Sequence, residues 1–168
     1  MDVTISNRHL KIRPVSNHEL DSIFEVYRQC EDFLALGPVA LASREMVLQD
    51  LSTSEKLGGV FCGIYDAKGD MIGILDYVPS HFEGDPECAS LELLMIAAPA
   101  RKQGVGKAVV KALEKEILKN SRITTIRSGV QVNNPEAIKF WLSCGFHIIS
   151  GPTLMPDQTT VFGLQKDF

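Results

Sequence analysis

Arg101-Lys102-Gln103-Gly104-Val105-Gly106-Lys107 lies between an apolar run, Ala89 to Ala97, and an amphipathic one, Gly104 to Leu118. The first amides of a helix have no acceptor within it and point outward, and the helix dipole adds partial positive charge there. A glycine-rich helix start therefore stabilises an anion, and glycines let the backbone approach a phosphate with no Cβ in the way. Arg101, Lys102 and Lys107 add positive side chains. Two named phosphate loops fail on this segment. The dinucleotide fingerprint needs a third glycine where Val109 stands. A P-loop needs glycine at Arg101 and a hydroxyl residue at Ala108.

Working outward, Val105, Val109, Ala112, Leu113 and Ile117 form one apolar stripe, so Gly104 to Leu118 reads as a helix. Ala89 to Ala97 before it reads as a strand. Gly59 to Asp66 and Met71 to Val78 read as a hairpin around Ala67-Lys68-Gly69-Asp70. His9 to Val15 reads as a first strand. Ser16 is then the expected N-cap of a helix running from Leu20 toward Leu34, with Glu19 completing a capping box. Gly37-Pro38 stops that helix, and Ser43 is expected to cap a second one. Beyond the loop, Ile123 to Val132 is a strand, and Asn134-Pro135 opens a helix that ends at Gly145. Phe146 to Ile149 and Thr159 to Leu164 close the chain as strands. The expected order is βααβββαβαββ, a mixed α/β sheet in one domain over residues 1–168.

Composition narrows the function classes. The chain has 168 residues, 45% hydrophobic and 23% charged, which suits an ordinary globular domain. Its net charge of −4 gives no case for a general nucleic-acid binder or for an anionic membrane surface. The longest apolar stretch, Leu91 to Ala100, contains Glu92 and is too short to span a bilayer. Cys30, Cys62, Cys88 and Cys144 form no CxxC pair and read as reduced buried thiols, which points to the cytosol. His81, Glu83, Asp85, Glu87 and Cys88 crowd one loop but match no zinc spacing, so no metal is expected.

Once both named phosphate loops are excluded, the remaining pattern, Arg101-x-x-Gly104-x-Gly106, resembles the coenzyme A loop of the GNAT superfamily of N-acetyltransferases. Asn134-x-x-Ala137-x-x-Phe140-Trp141-x-x-x-Gly145-Phe146 is similar to that family's closing motif. The resemblance is strong from about Ala89 to Phe146 and only topological before it. It implies a GNAT-type acyl-CoA N-acyltransferase fold, acetyl-CoA as co-substrate, and an amine acceptor. By the same resemblance, Leu94, Met95, Ile96 and Ala97 would pair with the pantetheine arm, and one of their amides would polarise the thioester carbonyl. Gln103, Gly104, Val105, Gly106 and Lys107 would hold the pyrophosphate, with Arg101 and Lys102 adding charge. Asn134, Phe140 and Trp141 would lie near the thioester.

The family often carries a carboxylate on the preceding strand, and the matching residue is Glu92. Two readings of it stand: a general base with a pKa raised by apolar neighbours, or a charge paired with a nearby Lys or Arg. Where many members have a tyrosine that protonates the departing thiolate, this chain has Trp141, which holds on to its proton. That acid is therefore absent, or is supplied by water, Tyr77 or Tyr27. Tyr27, Glu31 and Asp32 lie in the region where the resembling family binds its acceptor. The alternative to an enzyme is a degenerate member that binds acyl-CoA as a sensor or regulatory module. Dimers are common in the resembling family, so a homodimer is an expectation.

Overall fold

The computed structural model describes residues 1–5, 8–16 and 18–168. In these residues the order is β1 (Asp2–Ile5), β2 (Arg8–Pro14), α1 (Leu20–Arg28), α2 (Glu31–Leu34), α3 (Arg44–Lys56), β3 (Val60–Tyr65), β4 (Met71–Val78) and β5 (Cys88–Ile96). A 3₁₀ turn (Ala98–Ala100) then leads to α4 (Val105–Ile117), β6 (Thr125–Gln131), α5 (Pro135–Ser143), β7 (His147–Leu154) and β8 (Thr160–Asp167). Every expected element is present. The sequence reading lacked β1, and it ran α1 and α2 together where the chain breaks at Gln29 and Cys30.

The capping expectation for α1 needs correction. Glu19, not Ser16, is the N-cap residue, and the helix begins at Leu20. The Glu19 carboxylate still accepts the Ser16 N–H at 2.8 Å and the Ser16 hydroxyl at 2.9 Å. It also takes both arms of the Arg13 guanidinium and the Tyr65 hydroxyl, so it ties β2, β3 and the start of α1 together. The other caps form as read. Ser43 Oγ accepts the Met46 N–H at 3.1 Å, and Asn134 Oδ1 accepts the Ala137 N–H at 3.0 Å.

The eight strands form one sheet in the order β1-β2-β3-β4-β5-β6-β8-β7. Every neighbouring pair is antiparallel except β5 with β6. Alternation along the strands builds a core on each face. On one face Val105, Val109, Val110, Leu113 and Ile117 of α4, with Trp141 of α5, bury Leu75, Leu91 and Ile126. On the other, Ile23, Val26 and Tyr27 of α1 and Val47 of α3 bury Phe61, Ile74 and Met95. The four cysteines are free thiols, three of them buried. Among the described residues, no helix is long and apolar enough to cross a membrane.

Candidate functional site

The sheet opens at its centre. β5 and β6 pair from Cys88↔Thr125 to Leu91↔Ser128 and then part, so the rest of β5 has a neighbour on the β4 side only. The Ser128 hydroxyl donates to the Leu91 carbonyl at 2.8 Å, at the point of the fork. The cause of the parting lies in register. On β4 Asp76 faces Leu93 and Tyr77 faces Leu91, so Glu92 is an extra residue, a β-bulge that bends the strand. After the bulge, Leu94 and Ile96 pack toward the α4 face and Leu93 and Met95 toward the α1 face.

Hydrogen-bond alternation says which groups of β5 line the opening. The Ala97 N–H donates to the Ile72 carbonyl at 2.9 Å, so Met95 and Leu93 turn their main-chain groups to β4. Leu94 and Ile96 turn theirs into the fork. The Ile96 carbonyl is taken there by Arg101 Nε at 2.7 Å and by Cys30 Sγ at 3.5 Å. The amides of Leu94 and Ile96 and the carbonyl of Leu94 have no strand partner on the fork side among the described residues.

The turn after β5 is the second half of the site. Among the described residues, the amides of Lys102, Gln103, Gly104, Val105, Gly106 and Lys107 have no acceptor in the chain. The first closing bond is Ala108 N–H to the Gly104 carbonyl at 3.1 Å. Lys102 and Gly104 both take positive φ, at 59° and 79°, which curls the turn. Such successive outward amides at a helix start make an anion-binding concavity. The two glycines have different jobs. Gly104 supplies the left-handed N-cap, and a Cβ on it would meet only Ile5 Cγ2, at 3.8 Å. A Cβ on Gly106 would press on the Phe140 ring at 3.1 and 3.2 Å, so that glycine serves the packing of α4 on α5.

A family model described as the acetyltransferase (GNAT) family matches residues 20–146. The chain belongs to the GNAT acetyltransferase family. Its fold is similar to an acetyltransferase from Thermus thermophilus, at TM-score 0.78 and 22% identity over 100% of both chains. It is also similar to the PaiA N-acetyltransferase of Thermoplasma acidophilum, solved with coenzyme A, at TM-score 0.69 and 20% identity over 95% and 99% of the two chains. A spermidine N-acetyltransferase from Vibrio cholerae, solved with CoA and spermine, gives TM-score 0.70 and 14% identity over 93% and 94%. No curated protein sequence matches the chain.

Against the GNAT pattern, several side chains stand differently from the sequence reading. Glu92 is exposed, and its partner is the Ser90 hydroxyl, not a Lys or Arg. The bulge explains this, because it swings the carboxylate out of the apolar run. The buried carboxylate nearby is Asp76, on the β4 position facing Leu93 and 6% exposed, which the sequence reading did not single out. Burial pushes its pKa up, against the opposing effect of the Ser54 hydroxyl donating at 2.6 Å. The charges of Glu92 and Asp50 push it up further.

Trp141 is a core residue, 7% exposed, its ring edge-on to both Phe140 and Phe146 at 5.1 Å. Tyr27 is buried and donates to Asp50 at 2.6 Å, and burial drives its pKa upward. Tyr77 packs in the α4 core, with burial pushing its hydroxyl up to about 12. None of the three is a free acid in the fork. Glu31 accepts the Ala42 N–H at 3.0 Å, and Asp32 is paired with Arg101.

Arg101 is braced rather than mobile, bonded to Ile96, Asp32 and Gln29. Lys102 and Lys107 are exposed. Gln103 is held between Arg8 and the Pro99 carbonyl. In the polar loop, Glu83 pairs with Arg127 at 2.7 Å and Asp85 accepts the Glu87 N–H. Among the described residues no His, Cys, Asp or Glu group is arranged to hold a metal ion.

Proposed function

We propose that this GNAT protein transfers the acetyl group of acetyl-CoA directly to a primary amine of a small molecule, peptide or protein. The observation that carries this reading is the run of amides from Lys102 to Lys107 with no acceptor among the described residues, beside a strand edge that is open at Leu94. A diphosphate fits the first, and an extended amide-containing arm fits the second. Acetyl-CoA, when bound, supplies the activated thioester.

The chain's own residues then divide the work. The turn amides hold the nucleotide end, with Lys102 and Lys107 adding positive charge. An amide of the Leu94–Ala97 segment directed into the fork, best the Leu94 N–H, donates to the carbonyl oxygen on which negative charge develops. Glu92, displaced into solvent reach by the bulge, takes a proton from the ammonium form of the acceptor. Asn134 and Phe140 build the wall on the α5 side. No general acid is assigned. A thiol ionises near pH 8.5, so the CoA thiolate can leave unprotonated. Four free cysteines suit a reducing cytosol.

Calorimetry with CoA followed by thiol release with a panel of amines tests the reading. Binding of CoA with amine-dependent thiol release is expected. Tight CoA binding with no amine accelerating release would instead make the protein an acyl-CoA-binding module.

A further inference from the structure

Residues 29–37 cross the open end of the fork on the α1 face and are tied down on both sides of it. On the β5 side, the guanidinium of Arg101 holds the Ile96 carbonyl through Nε at 2.7 Å and the Gln29 carbonyl at 3.3 Å. Its two outer nitrogens grip the Asp32 carboxylate, one contact being 3.0 Å. On the β6 side, Asn133 Nδ2 donates to the Leu36 carbonyl at 2.9 Å. Gly37 stands beside Thr159 and Gln131, whose side-chain atoms are 3.5 and 3.7 Å from where its Cβ would be. Between the ties, Phe33 and Leu34 rest on the α1-side core. The Glu31 bond to the Ala42 N–H closes residues 31–42 into a loop whose ends meet.

We infer that residues 29–37 are a strap over the acceptor side of the fork, and that Asp32 is a positioning residue that couples the strap, through Arg101, to the CoA turn. The function of the strap rests on the acetyl-transfer reading, whereas its two anchors do not. Arg101 begins the turn whose amides have no acceptor among the described residues, and it also holds the carbonyl of Ile96 on the open edge. A ligand that orders that turn and edge therefore stiffens the strap through one side chain. Coupling between two sites is reciprocal, so a firmer strap also favours the ligand. Hydrogen bonding from Arg101 holds the Asp32 carboxyl below its usual range.

Amide hydrogen exchange over residues 29–37, with and without CoA, tests the inference. In the wild type CoA should slow exchange there several-fold. In Asp32→Asn exchange should be faster and the CoA-induced slowing lost, while Asp32→Glu restores part of both. Asn133→Ala should release the other end and also speed exchange. With an amine that is turned over, Asp32→Asn should raise the acceptor KM by about tenfold, within the usual range of coupling. Its kcat should change little, and its CoA affinity should fall in step with the lost coupling, as reciprocity requires.

Unchanged exchange over 29–37 in Asp32→Asn would overturn the strap. A lowered Tm with an unchanged acceptor KM would reduce Asp32 to a structural residue and overturn its positioning role. If the wild type acetylates no amine, the acetyl-transfer reading fails, and the exchange measurements still decide whether the strap exists and responds to CoA.

Discussion

Gly106 lies against the Phe140 ring so closely that a β-carbon there would stand 3.1 Å from Cε2. The two residues belong to separate motifs, the turn before α4 and the helix α5, and this contact sets how the motifs meet. An alanine at 106 gains up to about 1 kcal/mol of helix propensity but forces the ring to shift, which costs about 1–3 kcal/mol in a packed site. Gly106→Ala should therefore lower Tm by a few degrees. In a Phe140→Leu background the same change should raise it. Thermal denaturation of the four variants checks the reversal of sign, and its absence would show that Phe140 is not the constraint.

Glu19 collects the Arg13 guanidinium, the Tyr65 hydroxyl, and the Ser16 N–H and hydroxyl. The Arg13 hydrogen bond is the main cause of its strongly lowered pKa. A depressed carboxylate contributes stability that is complete above its unfolded value near 4.3 and is lost as pH falls toward the folded value. Glu19→Gln should be less stable than the wild type at pH 7, with the difference shrinking as pH drops from about 4 to 2. Parallel Tm curves over that window would mean that the charge contributes nothing.

Asp76 runs the opposite way. Burial raises its pKa, so its ionised form burdens the folded state once pH exceeds the unfolded value near 3.9. An asparagine keeps an oxygen for the Ser54 hydroxyl, which donates at 2.6 Å. Asp76→Asn should thus be more stable than the wild type at pH 7 to 8 and equal to it near pH 4. A variant less stable at every pH would show that the carboxylate is net favourable in its place.

The parts of the fold written in local signals were legible. The apolar stripe of α4, the Asn134-Pro135 start of α5 and the glycine at 145 each act within a turn or two of chain, and each stands as read. What depends on register was not. Alternation in Ala89 to Ala97 gives no sign that Tyr77 and Asp76 on another strand skip Glu92, yet that skip puts Glu92 outside the apolar run and opens the fork. The burial of Trp141 between Phe140 and Phe146, and the capture of Asp32 by Arg101, are likewise products of packing between distant segments. Asp76 escaped notice because a single aspartate in a strand carries no pattern. The signal that could have found it is its polarity inside Met71 to Val78.

Gly104 has φ of 79°, so alanine there is strained by roughly 1 kcal/mol and turns the outward amides. Gly104→Ala should fold with a modestly lower Tm and bind CoA at least tenfold more weakly. Lys102→Ala, by comparison, should lose affinity mainly at low salt, because its exposed charge is screened. Calorimetry at two ionic strengths separates them. Full CoA affinity in folded Gly104→Ala would remove the turn from the binding site.

Glu92 gives the sharpest chemical test, because its exposure leaves acceptor basicity as the variable that matters. Only about one lysine-like amine in 2,500 is neutral at pH 7, whereas roughly a tenth of α-amines near pKa 8 are neutral. A base is therefore needed most for the strongly basic acceptors. Glu92→Gln keeps the shape and a partner for the Ser90 hydroxyl but cannot take a proton. Its kcat/KM should fall by about 10²–10⁴ on lysine-like amines, the usual range for one positioned base, and by much less on weakly basic ones. Raising the pH should recover part of the loss, since the neutral amine then forms without help. Equal losses across amines of different basicity, unrelieved at high pH, would leave Glu92 a binding or structural group and send the search for the base elsewhere in the fork.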